Sequence, residues 1–181
     1  MKSPPTYATR RAYPLELTFI ILARPAPSTS PSTPTPAEIA SLPMVGDVNL
    51  FLKGAPADDD FEAELEVMIA EPAYRRRGLA HRALSLLLAF VTAPPSLPPS
   101  SAASSSSPPP NSTTPSPFPI PPHALVARIG ASNAPSIALF RALGFEVVRT
   151  VEVFQEVEMR VRAGDEEEVG ERWKGGEVVV F

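Results

Sequence analysis

The chain contains no cysteine. Disulfides, thiolate zinc sites and a cysteine nucleophile are excluded together. Its two histidines, His81 and His123, are too few and too far apart for a histidine-based metal site, so no metal is expected. A basic excess is missing as well: 16 Lys and Arg stand against 20 Asp and Glu, a formal charge of -4. That balance argues against a nucleic-acid-binding surface. The apolar run over residues 15–23 is broken by Glu16 and falls short of the ~20 residues a membrane span needs. It also lacks the small-residue cleavage site of a signal peptide. A soluble, cytoplasmic protein with neither nucleic acid nor membrane as a partner is the expectation.

Proline is the residue in excess, 24 of 181, where ~5% is usual. Twelve fall in residues 93–122 and five more in 25–36, two stretches built almost wholly of Pro, Ser, Thr and Ala. Neither can bury enough apolar surface to order itself, and both read as disordered or polyproline-like segments. Loop closure costs little more for a long loop than for a short one, so 93–122 is taken as a surface insertion. Such tracts serve as spacers, or offer a docking site for a proline-recognising partner or for phosphorylation. The remaining ~150 residues suffice for one core.

The pattern along the rest predicts an α/β domain with a mixed sheet. Strands are expected over 17–22 and 45–52, and most clearly over 62–70. There Glu62, Glu64 and Glu66 alternate with Ala63, Leu65 and Val67, giving a carboxylate face and an apolar face. Residues 78–91 form a helix so apolar that it should be covered on most sides. Beyond the insertion come a strand over 124–129 and a helix over 135–143. Asn133 or Ser132 is the N-cap of that helix and Gly144 the left-handed cap at its end. Two adjoining strands follow over 145–153 and 154–162. The remainder, 163–181, reads as a loose tail in which Trp173 is a local packing anchor.

Chemistry concentrates at the junction of the third strand with the apolar helix, where the chain reads Arg75-Arg76-Arg77-Gly78-Leu79-Ala80. The first turn of a helix exposes N–H groups without partners, and its end of the dipole is positive. Gly78 allows close approach of an anion to the backbone, Ala80 keeps the corner small, and the arginines add charge. A pyrophosphate suits such a corner; a plain solvated turn would show the same residues. The second glycine and the Lys-Ser pair of a Walker loop are absent, as is the glycine two residues before Gly78 that a Rossmann fingerprint requires.

Arg75-x-x-Gly78-x-Ala80 after a strand and before a helix resembles the acetyl-coenzyme A loop of the GNAT superfamily of N-acetyltransferases. The later Asn133-x-x-Ser136-x-x-x-Phe140-x-x-x-Gly144-Phe145 resembles that superfamily's second motif. Residues 44–51, 66–72 and 154–157 are similar to its N-acetyltransferase 9-like branch. The resemblance covers a domain over 15–162, apart from the two Pro/Ser stretches. It implies the GNAT acyl-CoA N-acyltransferase fold, and transfer of acetyl from acetyl-coenzyme A to an amine, taken to be on a protein, by direct attack on the thioester.

Carried over residue by residue, the resemblance places the pantetheine arm between the strands at 62–70 and 124–129. Backbone groups of Met68, Ile69 and Ala70 would hold it. Arg75, Arg76, Arg77, Gly78, Leu79 and Ala80 would hold the pyrophosphate. Asn133 would contact the arm, and Phe140 would wall the thioester end. Phe140 stands where many members have a tyrosine, so the leaving thiolate would take its proton from water or another group. Glu64 is the first candidate for the base that takes the amine proton and Glu66 the second; the other reading makes both part of a wet strand face. The family begins with a strand and two helices that shape the acceptor site, so the short irregular start implies an N-terminally abbreviated fold. The competing class is a catalytically inactive or truncated module that binds coenzyme A or a partner.

Overall fold

A computed structural model describes residues 16–24, 35–93, 117–162 and 164–174. The expectations for residues 1–14, for most of the two Pro/Ser stretches and for 175–181 lie outside these. Six strands form one sheet in the order β1-β2-β3-β4-β6-β5. They are β1 Glu16–Leu22, β2 Met44–Lys53, β3 Glu62–Ile69, β4 Leu125–Gly130, β5 Phe145–Val151 and β6 Glu156–Val161. All neighbours are antiparallel except β3 and β4, which run parallel. Four helices accompany them: α1 Pro36–Ser41, α2 Leu79–Thr92, α3 Ala134–Ala142 and α4 Glu166–Lys174.

Strand alternation sorts the side chains as the period of two requires. Val48, Leu50 and Leu52 of β2, Ala63 and Leu65 of β3, Leu125, Ala127 and Ile129 of β4, and Val157, Met159 and Val161 of β6 share one core. Leu84, Leu87, Leu88 and Val91 of α2 close it, with Phe140 of α3 and Val169 and Trp173 of α4. The opposite face of the sheet carries Glu62, Glu64 and Glu66 of β3 with Arg128 of β4 and Arg160 of β6.

Four expectations need correction. The apolar helix is covered on one side rather than most: Leu86 is 41% and Phe90 59% exposed. Phe90 instead meets Phe19 of β1 and Phe118 at ring-centroid distances of 5.9 Å each. The Pro/Ser insertion ends earlier than its composition suggests. Ile120 is fully buried and its N–H donates to Val91 O at 2.7 Å, because one apolar side chain among prolines suffices to seat the chain on the core.

The first Pro/Ser stretch ends early as well, since Thr35 and Pro36 open α1. Thr35 Oγ1 accepts from Glu38 N, and the Glu38 carboxylate accepts from Thr35 N at 2.7 Å, a reciprocal cap that the Thr-Pro-Ala-Glu sequence encodes. Finally, the segment read as a loose tail contains α4. The ring of Trp173 stacks on Phe145, centroids 6.1 Å apart, and both are buried. The remaining elements stand within two residues of their expected bounds. Asn133 caps α3 by accepting from Ser136 N, and Gly144 adopts φ 95°.

Candidate functional site

The parallel pair β3–β4 is laddered at two positions only, Ala63↔Leu125 and Glu64↔Val126. Beyond these the strands part, leaving a gap between their carboxyl-terminal halves. A crevice beyond the carboxyl ends of parallel strands is where α/β sheets receive ligands. Which backbone groups face the gap follows from the ladder with β2. Ala70 N–H donates to Val45 O at 2.9 Å, and peptide direction alternates along a strand. Met68 therefore points toward β2 as well. A Cβ on Gly46 of β2 would stand 2.0 Å from Met68 O. Val67 and Ile69 point the other way, toward the gap. Of the three backbone positions expected to hold an extended arm, Ile69 faces the gap, whereas Met68 and Ala70 are turned to β2. Val67, which the sequence marks only as an apolar strand position, joins Ile69; only the ladder register reveals it.

After β3 the chain makes a short 3-10 turn over Pro72–Tyr74 and reaches α2 through the arginines. Arg75 is exposed yet folds back on the strand end: its Nε donates to Ile69 O at 2.8 Å and its Nη2 to Ala70 O at 3.0 Å. It fastens the loop to the end of β3 and consumes two strand carbonyls. Arg77 lies over the Tyr74 ring, 5.2 Å from its centroid. Arg76 is exposed and takes φ 59°, a left-handed conformation costly for a side-chain-bearing residue. Gly78 follows with φ 79° as the N-cap of α2, supplies no side-chain cap, and would direct a Cβ into open space.

The first bond of the helix runs from Arg82 N to Gly78 O at 3.1 Å. The amides of Leu79, Ala80 and His81 precede it and have no acceptor among the described residues. A positive helix end with spare donors, bordered by Arg76 and Arg77, has the chemistry to bind a polyanion. This is the corner that the Arg-x-x-Gly-x-Ala pattern marks, now joined to the strand gap.

The other expected residues fall into place unevenly. The Asn133 side chain is engaged in capping α3, accepting from Ser136 N at 3.2 Å. Phe140 is 3% exposed, edge-on to Phe145 at 5.3 Å, so it supports the core rather than presenting an open wall. Glu64 is held by Lys53 of β2 on one side and by Arg128 Nη1 at 2.8 Å on the other. Both cations meet the same oxygen, Glu64 Oε2. Glu66 stands opposite Asn49 on the same sheet face, exposed, and in no ion pair among the described residues. Partial burial, then the nearby Glu64 and Asp47 charges, raise its carboxyl above the ordinary glutamate value, with Lys53 offsetting part of this.

Below Glu66 the same face is an ion-pair network. Arg128 bridges Glu62, Glu64 and Glu158, while Arg160 pairs with Glu62 and with Glu158 Oε1 at 2.9 Å. Two cavities lie away from the gap. One of about 790 Å³ sits beside the loop Asp58, Asp59, Asp60 at the start of β3. The other, of about 530 Å³, lies between Arg141, Phe145 and Val169. Among the described residues no cluster of side chains is able to hold a metal ion, and no helix is long and apolar enough to cross a membrane.

Comparison with known proteins places this geometry. Residues 35–146 match the family model of the acetyltransferase (GNAT) domain. An N-acetyltransferase 9-like protein of Dictyostelium discoideum is 33% identical over 122 residues, which cover 67% of this chain and 46% of that protein. Alpha/beta-tubulin-N-acetyltransferase 9 of mouse and of human are each 36% identical over 124 residues, covering 68% of this chain and 40% and 47% of theirs. The chain thus spans less than half the length of these curated relatives. A crystal structure of a domain from Methanocaldococcus jannaschii DSM 2661 shares the fold, with a TM-score of 0.50 at 18% identity over 83% of this chain and 68% of that one. On these matches the chain belongs to the GNAT acetyltransferases, in their N-acetyltransferase 9-like branch.

Proposed function

We propose that this protein moves acetyl from acetyl-coenzyme A to an amine on a protein acceptor. The observation that carries the reading is the continuity of the β3–β4 gap with the bare amino end of α2. The amides of Leu79, Ala80 and His81, with Arg76 and Arg77, suit the pyrophosphate, and Gly78 leaves room for it. The gap suits the extended pantetheine arm, which would lie against the outward peptide groups of Val67 and Ile69. Acetyl-coenzyme A supplies an acetyl group already activated as a thioester.

The chain's own residues do the rest. The Ile69 N–H is the donor placed to polarise the acetyl carbonyl, since the Ile69 oxygen is already taken by Arg75. Glu66 is the proton acceptor for the attacking amine. It projects from β3 on the face opposite α2, without a cation partner among the described residues, and its raised affinity for protons suits a general base. Relatives named for alpha/beta-tubulin make tubulin the acceptor to test first.

Calorimetric titration of the protein with acetyl-coenzyme A tests the nucleotide assignment. Gly78→Glu puts bulk and negative charge where phosphate belongs and should abolish the binding heat, while circular dichroism verifies the fold. Unchanged affinity in that variant overturns the assignment. Glu66→Gln should leave the cofactor affinity intact and lower acetyl transfer to tubulin or to amine-bearing peptides by about 10²-fold or more.

A further inference from the structure

Arg128 ties together the two strands whose parting makes the proposed site. It stands on β4 two residues beyond Val126, the last position laddered to β3. From there its guanidinium reaches back: Nη1 donates to Glu64 Oε2 at 2.8 Å and Nη2 to Glu62 Oε2 at 2.8 Å. The same Nη2 lies 3.3 Å from Glu158 Oε2 on β6. The planar fork thus spans three strands at the root of the gap, a task that a flexible ammonium performs less well. Its side chain is 24% exposed and that of Glu64 only 12%, so water screens the contact weakly.

The arrangement divides the three carboxylates of β3. Glu62 has Arg128 and Arg160, and Glu64 has Arg128 and Lys53, whereas Glu66 has no cation bound to it among the described residues. The charged groups that bear on Glu66 are Glu64 on its own strand, Asp47 and Lys53 on β2, and Glu16 on β1. On the β4 side Arg128 acts through Glu64. How strongly Glu64 repels a charge on Glu66 thus depends on whether Arg128 neutralises it.

We propose that Arg128 is a positioning residue for acetyl transfer: it clamps Glu62 and Glu64 where β3 and β4 part, and by neutralising them leaves Glu66 as the carboxylate that takes the amine proton. The inference rests on the reading of Glu66 as the base, but its first test needs no activity. Removing Arg128 leaves Glu64 with Lys53 alone and Glu62 with Arg160 alone, so both repel a charge on Glu66 more strongly and should make it harder to ionise. Removing the Glu64 charge should make it easier.

The experiment is a carbon-13 NMR titration of the glutamate carboxyls in the full chain, with Glu66 assigned by its loss in Glu66→Gln. Arg128→Gln should move the Glu66 midpoint to higher pH and Glu64→Gln to lower pH. Arg128→Lys, which keeps the charge, should hold it near the parent value. The acid limb of the acetylation pH–rate profile should follow in the same directions. A general loosening of the sheet would move the midpoint alike in both neutralising variants. Shifts of one sign, or none, overturn the clamp. Full acetylation by Glu66→Gln would instead remove the base, and with it the role of Arg128 in transfer, while leaving the NMR shifts to stand or fall independently.

Discussion

Trp173 donates its indole N–H to the main-chain oxygen of Leu143 across 3.0 Å. This bond joins the helix near the end of the described chain to the carboxyl end of α3, one residue before the left-handed Gly144. Trp173 is 2% exposed; its ring stacks on Phe145, which Phe140 meets edge-on. What reads in sequence as an acidic tail is therefore part of the core.

From this contact Trp173→Ala should destabilise the protein by about 3–5 kcal/mol, the range for emptying a buried aromatic site. Trp173→Phe fills most of the volume but leaves the Leu143 carbonyl without its donor, and should cost about 1–3 kcal/mol. Urea unfolding followed by circular dichroism measures both. Unaltered stability in Trp173→Ala would mean that α4 is not docked.

Gly46 sets a second constraint. A Cβ there would stand 2.0 Å from the main-chain oxygen of Met68, and neither backbone segment yields cheaply. Gly46→Ala should cost about 1–3 kcal/mol by forcing β2 and the end of β3 apart. Gly130 has open space around the same position, so Gly130→Ala should change stability by less than about 0.5 kcal/mol. Equal effects of the two substitutions, in the same unfolding assay, would contradict the close approach of β2 and β3.

Acid stability follows from the network on the open face of the sheet. Burial alone would raise the Glu62 carboxyl, but hydrogen bonds from Arg128 and Arg160 outweigh it and hold Glu62 below the ordinary glutamate value. Glu158 is lowered likewise, burial being outweighed by Arg160 and Arg149. A carboxyl with a lower value in the folded state binds fewer protons than in the unfolded chain, so stability drops as pH falls through the glutamate range. Glu38, hydrogen-bonded to Thr35, is lowered as well; Glu66, raised in the folded state, contributes in the opposite direction, and one opposing group against three leaves a net loss.

Urea midpoints recorded from neutral pH downward should therefore decline, and Glu158→Gln should flatten the decline. At neutral pH that variant removes one partner of Arg160, which keeps Glu62, and the partner of the exposed Arg149, and should cost about 1–2 kcal/mol. A pH-independent midpoint in the parent protein would show that the network does not act as described.

Particular residues show how much was legible before the fold was known. The alternation of Glu62, Glu64 and Glu66 with Ala63 and Leu65 announced β3, because neighbours on one strand face are two residues apart whatever surrounds them. Gly78 before an apolar run announced the bare amino end of α2, since the glycine and the missing cap are local features. Other contacts appear only in the fold: Arg75 bonds back to Ile69 and Ala70, Glu64 pairs with Arg128, 64 residues later, and Phe140 packs edge-on against Phe145.

The amino-acid order alone thus determined most of the strands and helices, the glycine-led start of α2 and the family, since each rests on residues within a few positions of one another. Tertiary structure decided which β3 carboxylate has no cation partner among the described residues, which peptide groups face the gap, and that Ile120 and Trp173 belong to the core. Those outcomes turn on strand register and on contacts between distant segments, and both exist only once the sheet has formed.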